Sequence, residues 1–463
     1  MKLYLAGDAS KGYSDWVIIT EEKKVVLQDT QLDDTYAGHC ELFSLLKSCF
    51  EQHPGAQMYA ALESTGGYEN NWLNSLKSYQ KLFDIQVARL NPLGVHFNQR
   101  ADMNRNVTDA ISALNIARYM IDHSKSIRYD PDEKWKSICR HWNFVEMQKK
   151  QRVQTINQME TLLYSANPTL MRFKKDFLPN WLLELIILCP TEALLAKAKP
   201  SKLAKIPYLS LSRATELVED ARQGIASYTD KNAAILLIQM ARQIKTFDSN
   251  IKSQMSLIEQ ELDCPQVELL CSFKGIDTTS AIGLMLEIGA IERFAKVKGI
   301  CCFFGVHPKF KQSGDKIMGI HMSKQGSKNM RKILFNITMS AIVYNPLIKD
   351  LYERKKAEGM EPYAAMGVCM HKILRIIYGM LKNNQPFDPQ VDKLNTEMSN
   401  QKQQDKEQQK TANTKKTRRH QPFDSKAPVS SKQTKKRKEQ ALSQGEINNH
   451  LERDPHVPSN VVV

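Results

Sequence analysis

KLYLAGDASKGYSDWVIIT (residues 2–20) opens the chain and decides its fold class. Two short apolar runs, residues 2–7 and 16–20, flank a polar turn, and a third apolar run follows at residues 25–27. Apolar runs separated by polar turns predict a meander of antiparallel strands. Asp8 directly follows the first run, so the sequence predicts a carboxylate held rigidly at the end of a strand.

Helical and strand patterns alternate after this meander. They comprise a helical stretch at residues 42–50, an apolar run at 58–62, a Gly66-Gly67 break, a helix at 68–76 and a run at 85–90. Hairpins followed by alternating helices and strands predict a mixed α/β sheet.

A second carboxylate, Glu63, directly follows the run at residues 58–62, in the string LESTGGYE. We expect it to converge with Asp8 on a divalent cation, and Mg²⁺ suits such hard oxygen ligands. Asp109, in the string TDAISALNIARY, is the best candidate for a further acidic position. The alternative is that Asp109 only complements the dipole at a helix N-terminus, which is worth about 0.3–1 kcal/mol.

GDASK, LESTGGYE and the TDA-helix segment, in this order, resemble the DEDD transposases of bacterial insertion sequences, a family that includes the pilin-gene invertases. The resemblance implies an RNase H-like (RuvC-type) domain that binds Mg²⁺, or alternatively Mn²⁺. Asp8, Glu63 and Asp109 match the first, second and fourth ligand positions of the family. Asn106 stands at the third position, where it would offer an uncharged carbonyl, and Asp102 is a less well-spaced substitute.

The middle of the chain carries two apolar stripes at helical spacing. The stripes are Ile138, Trp142, Val145, Ile156, Met159 and Leu163, and then Leu237, Ala241, Ile244, Ile251, Met255, Ile258 and Leu262. They predict two amphipathic helices forming either an antiparallel coiled-coil arm or a dimerising bundle. Lys149 and Asp248 interrupt the stripes, and irregular short helices are expected between them, over residues 179–224.

The string LLCSFKGIDTTSAIGLMLEIG (residues 269–289) predicts two helices joined by a Gly-Ile turn. It resembles a helix-hairpin-helix, whose turn holds a DNA phosphate without reading sequence. In that interpretation Lys274 and Gly275 bind nucleic acid. The alternative is a simple turn between two helices.

Three serines occur downstream among glycines and cations, in FFGVHPKFKQSGDKIMGIHMSKQGSKNMRKILFN (residues 303–336). A serine in such a loop can face a phosphate gripped by cations, and spacing alone does not choose among Ser313, Ser323 and Ser327. The expected nucleic-acid-binding cations are Lys311, Lys328, Arg331 and Lys332. In the resembled family the serine of the short SG motif is the nucleophile, which implies Ser313.

Lys+Arg 65 against Asp+Glu 50 give a formal net charge of +15, which favours a polyanionic partner. A basic tail alone would also account for it, since residues 385–463 carry Lys415-Lys416, Arg418-Arg419 and Lys435 to Lys438 and are expected to be disordered. The sequence predicts no signal peptide and no membrane-spanning stretch. Nine cysteines without a CxxC pair indicate free thiols in a reducing cytoplasm rather than disulfides or zinc.

Four regions are therefore expected: a metal domain (1–128), a helical coiled-coil region (129–264), a mainly α-helical serine domain (265–384) and the tail (385–463). The resemblance implies a DNA transposase or site-specific recombinase, a homo-oligomer (dimer or tetramer), and guidance by a structured bridge RNA. The alternatives are a hydrolytic junction nuclease and a nucleic-acid-binding derivative weakened by Asn106.

Overall fold

The computed structural model describes residues 1–101, 109–129, 135–173, 178–313, 316–392, 394–395, 397–398, 401, 427–435 and 437. The chain divides into two compact units, Met1–Glu133 and Lys134–Val463. Each unit is built around its own buried side chains.

Unit 1 is a five-stranded sheet with helices, in the order β1 (Lys2–Ser10), β2 (Tyr13–Thr20), β3 (Val25–Asp33), α1 (Tyr36–Gln52), β4 (Gln57–Glu63), α2 (Glu69–Tyr79), β5 (Ile85–Leu90), α3 (Pro92–Ala101), α4 (Asp109–Asp122) and a 3-10 turn (Ser124–Ser126). The strands are ordered β3-β2-β1-β4-β5. The β1–β2–β3 meander is antiparallel, whereas β4 and β5 run parallel to β1. The predicted mixed α/β sheet is confirmed.

Alternating side chains of the sheet enter two separate cores. Leu3 and Leu5 pack with α1 and α2 on one face. Tyr4 and Ala6 pack on the other face with the apolar side of α4, which includes Ile116. Even-numbered residues of β1 therefore point toward α4, and this parity decides where Asp8 points.

Unit 2 is mainly helical, as expected for its sequence. Its helices are α5 (Lys136–Ala166), α6 (Pro168–Met171), α7 (Asn180–Leu188), α8 (Glu192–Ala196), α9 (Pro200–Leu203), α10 (Leu211–Arg222), α11 (Lys231–Glu261), α12 (Gln266–Cys271), α13 (Thr278–Ile288), a 3-10 turn (Ile291–Arg293), α14 (Val297–Phe303), α15 (Lys328–Tyr344), α16 (Pro346–Ala357) and α17 (Pro362–Asn383). A two-stranded hairpin, β6 (Pro308–Ser313) and β7 (Lys316–Met322), interrupts them.

The two predicted stripes form an antiparallel pair of long helices within the chain, α5 and α11. His141 Nδ1 lies 2.7 Å from Gln254 Oε1, and Arg152 Nε donates to Asp248 Oδ1 at 2.5 Å. Contacts that lie further along α5 thus involve residues that lie earlier along α11, so the two helices are antiparallel. The polar interruption at Asp248 is therefore an ion pair between the helices, formed by partly exposed side chains.

This helix pair contributes to two cores. Near Trp142 it packs with α12–α17, and near Met159 it packs with α6–α10. The short helices expected over residues 179–224 are α7 to α10, and they form the second of these cores.

One expectation needs correction. α17 is long and apolar enough, by length and composition, to cross a membrane, although no such stretch was predicted. Half of its most apolar 18-residue window is buried in the structure. Cys369, Ile373 and Ile377 are fully buried in the core shared with α5 and α11, so packing in unit 2 accounts for the apolar side of the helix.

Candidate active site and the serine hairpin

Asp8 and Glu63 lie on neighbouring strands where the parallel pairing of β1 with β4 ends, and β1 continues two residues beyond Asp8. The β1–β4 register pairs Gly7 with Leu62, and Asp8 and Glu63 are the next residue on each strand. Burial, and then the negative charge of Asp8, raise the pKa of the Glu63 carboxyl above its ordinary value. The two carboxylates are therefore close enough for the charge of Asp8 to act on Glu63. Their convergence on a divalent cation stays a prediction.

Both carboxylates belong to the face of the sheet that α4 covers. Asp8 follows Tyr4 and Ala6 in the alternation of β1, and Glu63 follows Ala61, which belongs to the same core. The site thus lies where the sheet ends beneath α4.

Sequence reasoning missed a third carboxylate on this face, Asp15. The β1–β2 ladder places Asp15 directly opposite Asp8. Asp15 is only 8% exposed, and Gln31 Nε2 donates to it over 3.2 and 3.3 Å. The sequence does contain a signal for Asp15, namely the two-residue turn at Lys11-Gly12 that fixes this register. Gly12 has the positive φ (92°) that such turns require.

In the sequence, the remaining predicted ligands stand at or before the first residue of α4. Asn106 and Asp102 fall outside the described residues, and so does the side chain of Asp109, the first residue of α4. Ile111 and Leu114 line a small cavity together with Asp15. α4 therefore begins at the same end of the sheet as Asp8 and Glu63. In the part of the chain that is described, no three acidic, histidine or cysteine side chains group closely enough to hold a metal ion.

Glu69, in the same LESTGGYE string, organises the loop that follows Glu63. It is 1% exposed, pairs with Arg89 Nη1 at 3.0 Å, and accepts from the backbone N–H of Thr65 (3.2 Å) and of Gly67 (2.9 Å). Burial alone would raise its pKa, but these bonds and Arg89 outweigh it and lower the pKa. A buried, fully bonded carboxylate thus fixes the backbone next to Glu63, a role that sequence reasoning did not assign.

Ser313 lies on a strand rather than in the expected loop. It is the last residue of β6 and pairs with Lys316 of β7, so only residues 314–315 separate them. The side chains of residues 310–320, which include Lys311, fall outside the described set. The hairpin pairing explains the difference, because it is an interaction between segments and not a local preference.

The other two serines have structural contacts. Ser327 caps α15 by accepting from the N–H of Met330 at 3.1 Å and donates to Glu287 at 2.6 Å. The backbone N–H of Ser323 donates to the carbonyl of His307 at 2.9 Å. Ser327 thus stabilises the start of α15, which it directly precedes.

Gly275 lies in a turn between α12 and α13, as predicted, and its role there is packing. Its φ is 115°, and a Cβ at this position would lie 2.9 Å from the Cα of Ala341 in α15. Lys274 beside it is exposed, and its carbonyl accepts from Asn345 Nδ2 at 3.4 Å. The glycine is therefore required for the close approach of this turn to α15, and Lys274 is exposed to solvent.

The predicted cations of α15 differ in their contacts. Arg331 Nη1 donates to the carbonyls of Phe304 (3.2 Å) and Gly326 (2.9 Å). Lys332 pairs with Glu146 at 2.8 Å, and Lys328 is exposed. Arg331 thus ties the loops beside the hairpin together, while Lys328 and Lys332 are both exposed.

Comparison with known proteins gives matches in both units. A transposase model of the DEDD IS110 type matches residues 6–168, and a model described as Transposase IS116/IS110/IS902 family matches residues 267–353. The two segments together cover more than half of the chain, and they hold Asp8, Glu63 and Ser313.

Relatives include the pilin gene-inverting proteins of Moraxella bovis and Moraxella lacunata, each 25% identical over 36% of this chain and 51% of the relative. The 43.6 kDa protein of insertion element IS110 from Streptomyces coelicolor is 21% identical over 51% of this chain and 60% of the relative. The chain thus spans about half the length of the first of these relatives. With both family models matched in order along the sequence, the chain belongs to the IS110-type DEDD transposases.

Proposed function

We propose that the protein is a DNA transposase or site-specific recombinase of an insertion sequence, in which Ser313 is the nucleophile and Asp8, Glu63 and Asp109 hold a divalent metal. The observation that carries the proposal is the apposition of Asp8 and Glu63 where the parallel pairing of β1 with β4 ends, and where burial and the charge of Asp8 raise the pKa of Glu63. These two effects disfavour the ionised form of Glu63, and a bound cation would relieve them.

An RNase H-like fold for unit 1 is part of this proposal. The strand order β3-β2-β1-β4-β5, with an antiparallel meander and two further parallel strands, supports it. In this arrangement the first and fourth strands are neighbours, and their ends supply the first two ligands.

The donor set fits Mg²⁺, or Mn²⁺ as an alternative, because carboxylate oxygens are ligands of hard cations. Asp8 and Glu63 would hold the ion together with Asp109, and Asn106 would contribute a neutral carbonyl. When bound, such an ion stabilises negative charge that develops on a phosphodiester. The bonds of Glu69 keep the loop after Glu63 fixed while this occurs.

Ser313 would form a covalent bond to DNA. Its Oγ attacks a phosphorus atom and loses its proton as the bond from phosphorus to a sugar oxygen breaks, which leaves a free DNA hydroxyl. A second DNA hydroxyl then attacks the phosphoserine and regenerates the serine. The number of phosphodiester bonds is conserved, so strand exchange needs no external energy source.

The partners in this proposal are donor and target DNA, a structured bridge RNA and further copies of the chain, as a dimer or tetramer. Lys274, Lys311 and Lys328 would contribute to phosphate binding, with Arg331 and Lys332 supporting the same surface. The net charge of +15 supports a polyanionic partner.

Asn106 supports a second candidate, a nucleic-acid-binding derivative with weakened metal affinity, since an amide replaces a charged ligand at that position. A hydrolytic nuclease is the third candidate, in which water replaces the serine. Covalent chemistry separates all three.

A suicide substrate with a nick near the exchange point tests the proposal. We expect a covalent DNA adduct on the wild-type chain and none on Ser313→Ala, with DNA binding retained. Ser323→Ala is the matched control and should keep the adduct, whereas Ser327→Ala also removes a helix cap worth about 1 kcal/mol. An adduct that maps to Ser323 or Ser327 would contradict the assignment of the nucleophile. Cleavage without any adduct favours the nuclease, and neither product favours the binding protein.

A further inference from the structure

The serine hairpin is anchored at its root to α17. Pro308, the first residue of β6, pairs with Met322, the last residue of β7. The side-chain methyl of Met322 contacts Gly367 of α17 so closely that a Cβ on the glycine would lie 3.2 Å from it. His371 lies one helical turn beyond Gly367. Because His307 immediately precedes β6, the root of the hairpin brings it near this side of α17.

Three basic side chains gather at this root: His307, His371 and Arg375. Burial, the charge of Arg375 and then that of His307 hold the pKa of His371 below its ordinary value. Among the described residues, no carboxylate contributes to that shift. His371 is half-buried, so its ring lies between the core of unit 2 and the surface.

Two further contacts define how these side chains can bind. His307 Nδ1 lies 3.4 Å from the carbonyl oxygen of Cys301, which can only accept, so the ring donates through Nδ1 and presents Nε2 elsewhere. Burial raises the pKa of the Cys301 thiol to about 11 although Arg375 lowers it, so the guanidinium also lies near α14 and the thiol stays neutral. Arg375 is exposed, and within the described ranges it forms no ion pair.

We propose that His307, His371 and Arg375 bind a phosphate group of the DNA backbone at the root of the serine hairpin. Burial and the neighbouring charge of Arg375 disfavour the charged form of His371, and a bound anion would relieve this. The guanidinium and the imidazole N–H groups can donate hydrogen bonds to the oxygens of a phosphate, and the bond from the guanidinium is charge-assisted. The choice of DNA as the source of the phosphate rests on the proposed function, whereas the phosphate chemistry does not.

The position of this site fits a role beside the reaction. Five residue steps of β6 separate Pro308 from Ser313, which is about 17 Å for a strand that rises ~3.3 Å per residue. That length equals about five steps along a duplex that rises ~3.4 Å per base pair. The bound phosphate would therefore lie a few nucleotides from the phosphodiester that Ser313 attacks.

The test measures binding of a short fluorescein-labelled DNA duplex to the full chain by anisotropy, over a series of salt concentrations. Arg375→Ala should weaken binding about three- to tenfold and reduce the slope of log affinity against log salt by about 0.9. Arg375→Lys should restore most of the slope, and His371→Asn should weaken binding by a smaller factor. Lys252→Ala, which removes an exposed cation of α11, is the matched control and should leave both readouts unchanged.

Equal behaviour of Arg375→Ala and Lys252→Ala would overturn the proposal. The proposal would also be overturned if Arg375→Ala weakened binding of single-stranded RNA but not of duplex DNA. The same holds if Arg375→Ala affected binding of inorganic phosphate but not of duplex DNA. If the slope changes as expected while nicked DNA forms no adduct with the wild type, the phosphate site stands and the serine mechanism fails. Thermal unfolding of each variant shows whether the fold is retained. The proposal is judged on the Arg375 variants, because this residue is exposed.

Discussion

Glu63 occupies a position where its charge opposes folding in the absence of a cation. Its pKa is raised by burial and by Asp8, so the folded state binds a proton more tightly than the unfolded chain does. The folded state is thus favoured below the ordinary pKa of a glutamate, and this contribution is lost as the pH rises toward the raised value. Burial and the negative charge of Asp8 both oppose the ionised form of Glu63.

Glu63→Gln should therefore stabilise the metal-free protein at neutral pH while abolishing strand exchange. We expect a gain of at most about 1 kcal/mol in the free energy of unfolding, since Glu63 keeps some solvent screening. Urea unfolding with EDTA present, at neutral pH and at a pH below the ordinary glutamate value, measures it, and the gain should shrink at the lower pH. Lower stability of the variant at neutral pH would show that the carboxylate has a stabilising partner.

A substitution at Asn106 would add a negative charge, whereas Glu63→Gln removes one. Asn106→Asp would restore the charged third position of the family and should preserve strand exchange or lower the concentration of magnesium that it requires. Recombination over a magnesium titration is the measurement, with Asp8→Ala as the inactive reference. Complete inactivation would mean that the neutral amide is required here.

Among the elements, α13 shows how one small residue positions a helix. Gly283 lies in the middle of α13, where a Cβ would meet Trp142 of α5 at 2.6 Å and Ile333 of α15 at 2.8 Å. The glycine thus permits three helices to meet in one core. Gly379 of α17 is also helical, and nothing lies within 4 Å of an added Cβ there.

These two glycines give a matched pair of substitutions. Gly283→Ala should destabilise the protein by about 1–3 kcal/mol because it overpacks the core. Gly379→Ala should instead stabilise it by about 0.5–1 kcal/mol, since alanine is the better helix former. Chemical denaturation of both variants gives the two signs, and equal effects would indicate that the core around Trp142 yields easily.

At the scale of the whole molecule, the basic tail begins later than the sequence suggested. The Phe387 ring lies 4.8 Å from the Phe273 ring, and the Phe387 N–H donates to Ser272 Oγ at 2.9 Å. Lys372 pairs with Asp392 at 2.6 Å. Residues up to Asp392 are therefore part of the packing of unit 2, although the predicted boundary lies at residue 385.

Two truncated chains distinguish what residues 386–392 contribute to stability from what the charge of the tail contributes to DNA binding. A chain ending at Asp392 should unfold at the same denaturant concentration as the full chain, but its DNA affinity should depend less on salt because the cation clusters of the tail are gone. A chain ending at Gln385 should in addition lose stability, by about 1–2 kcal/mol for an aromatic contact and a partly buried ion pair. A loss of strand exchange at low salt by the longer chain, with binding intact, would show that the tail has a catalytic role.

The sequence by itself determined the sheet and the long helices, and it indicated that Asp8 and Glu63 follow neighbouring apolar strands. Strand ends, turn glycines and periodic apolar residues are local signals, and a β–α–β connection brings the ends of parallel strands to one edge. The resemblance to one family rests on the same local strings.

Only the tertiary structure decided which further residues lie beside Asp8, Glu63 and Ser313. Asp15 joins the carboxylates because a hairpin register places it opposite Asp8, and Glu69 fixes the adjacent loop through burial against Arg89. Ser313 lies on a strand, and the basic cluster at its root forms because β7 packs on α17. Contacts between segments far apart in the chain leave no periodic pattern in the sequence, since they depend on which surfaces meet when the elements pack.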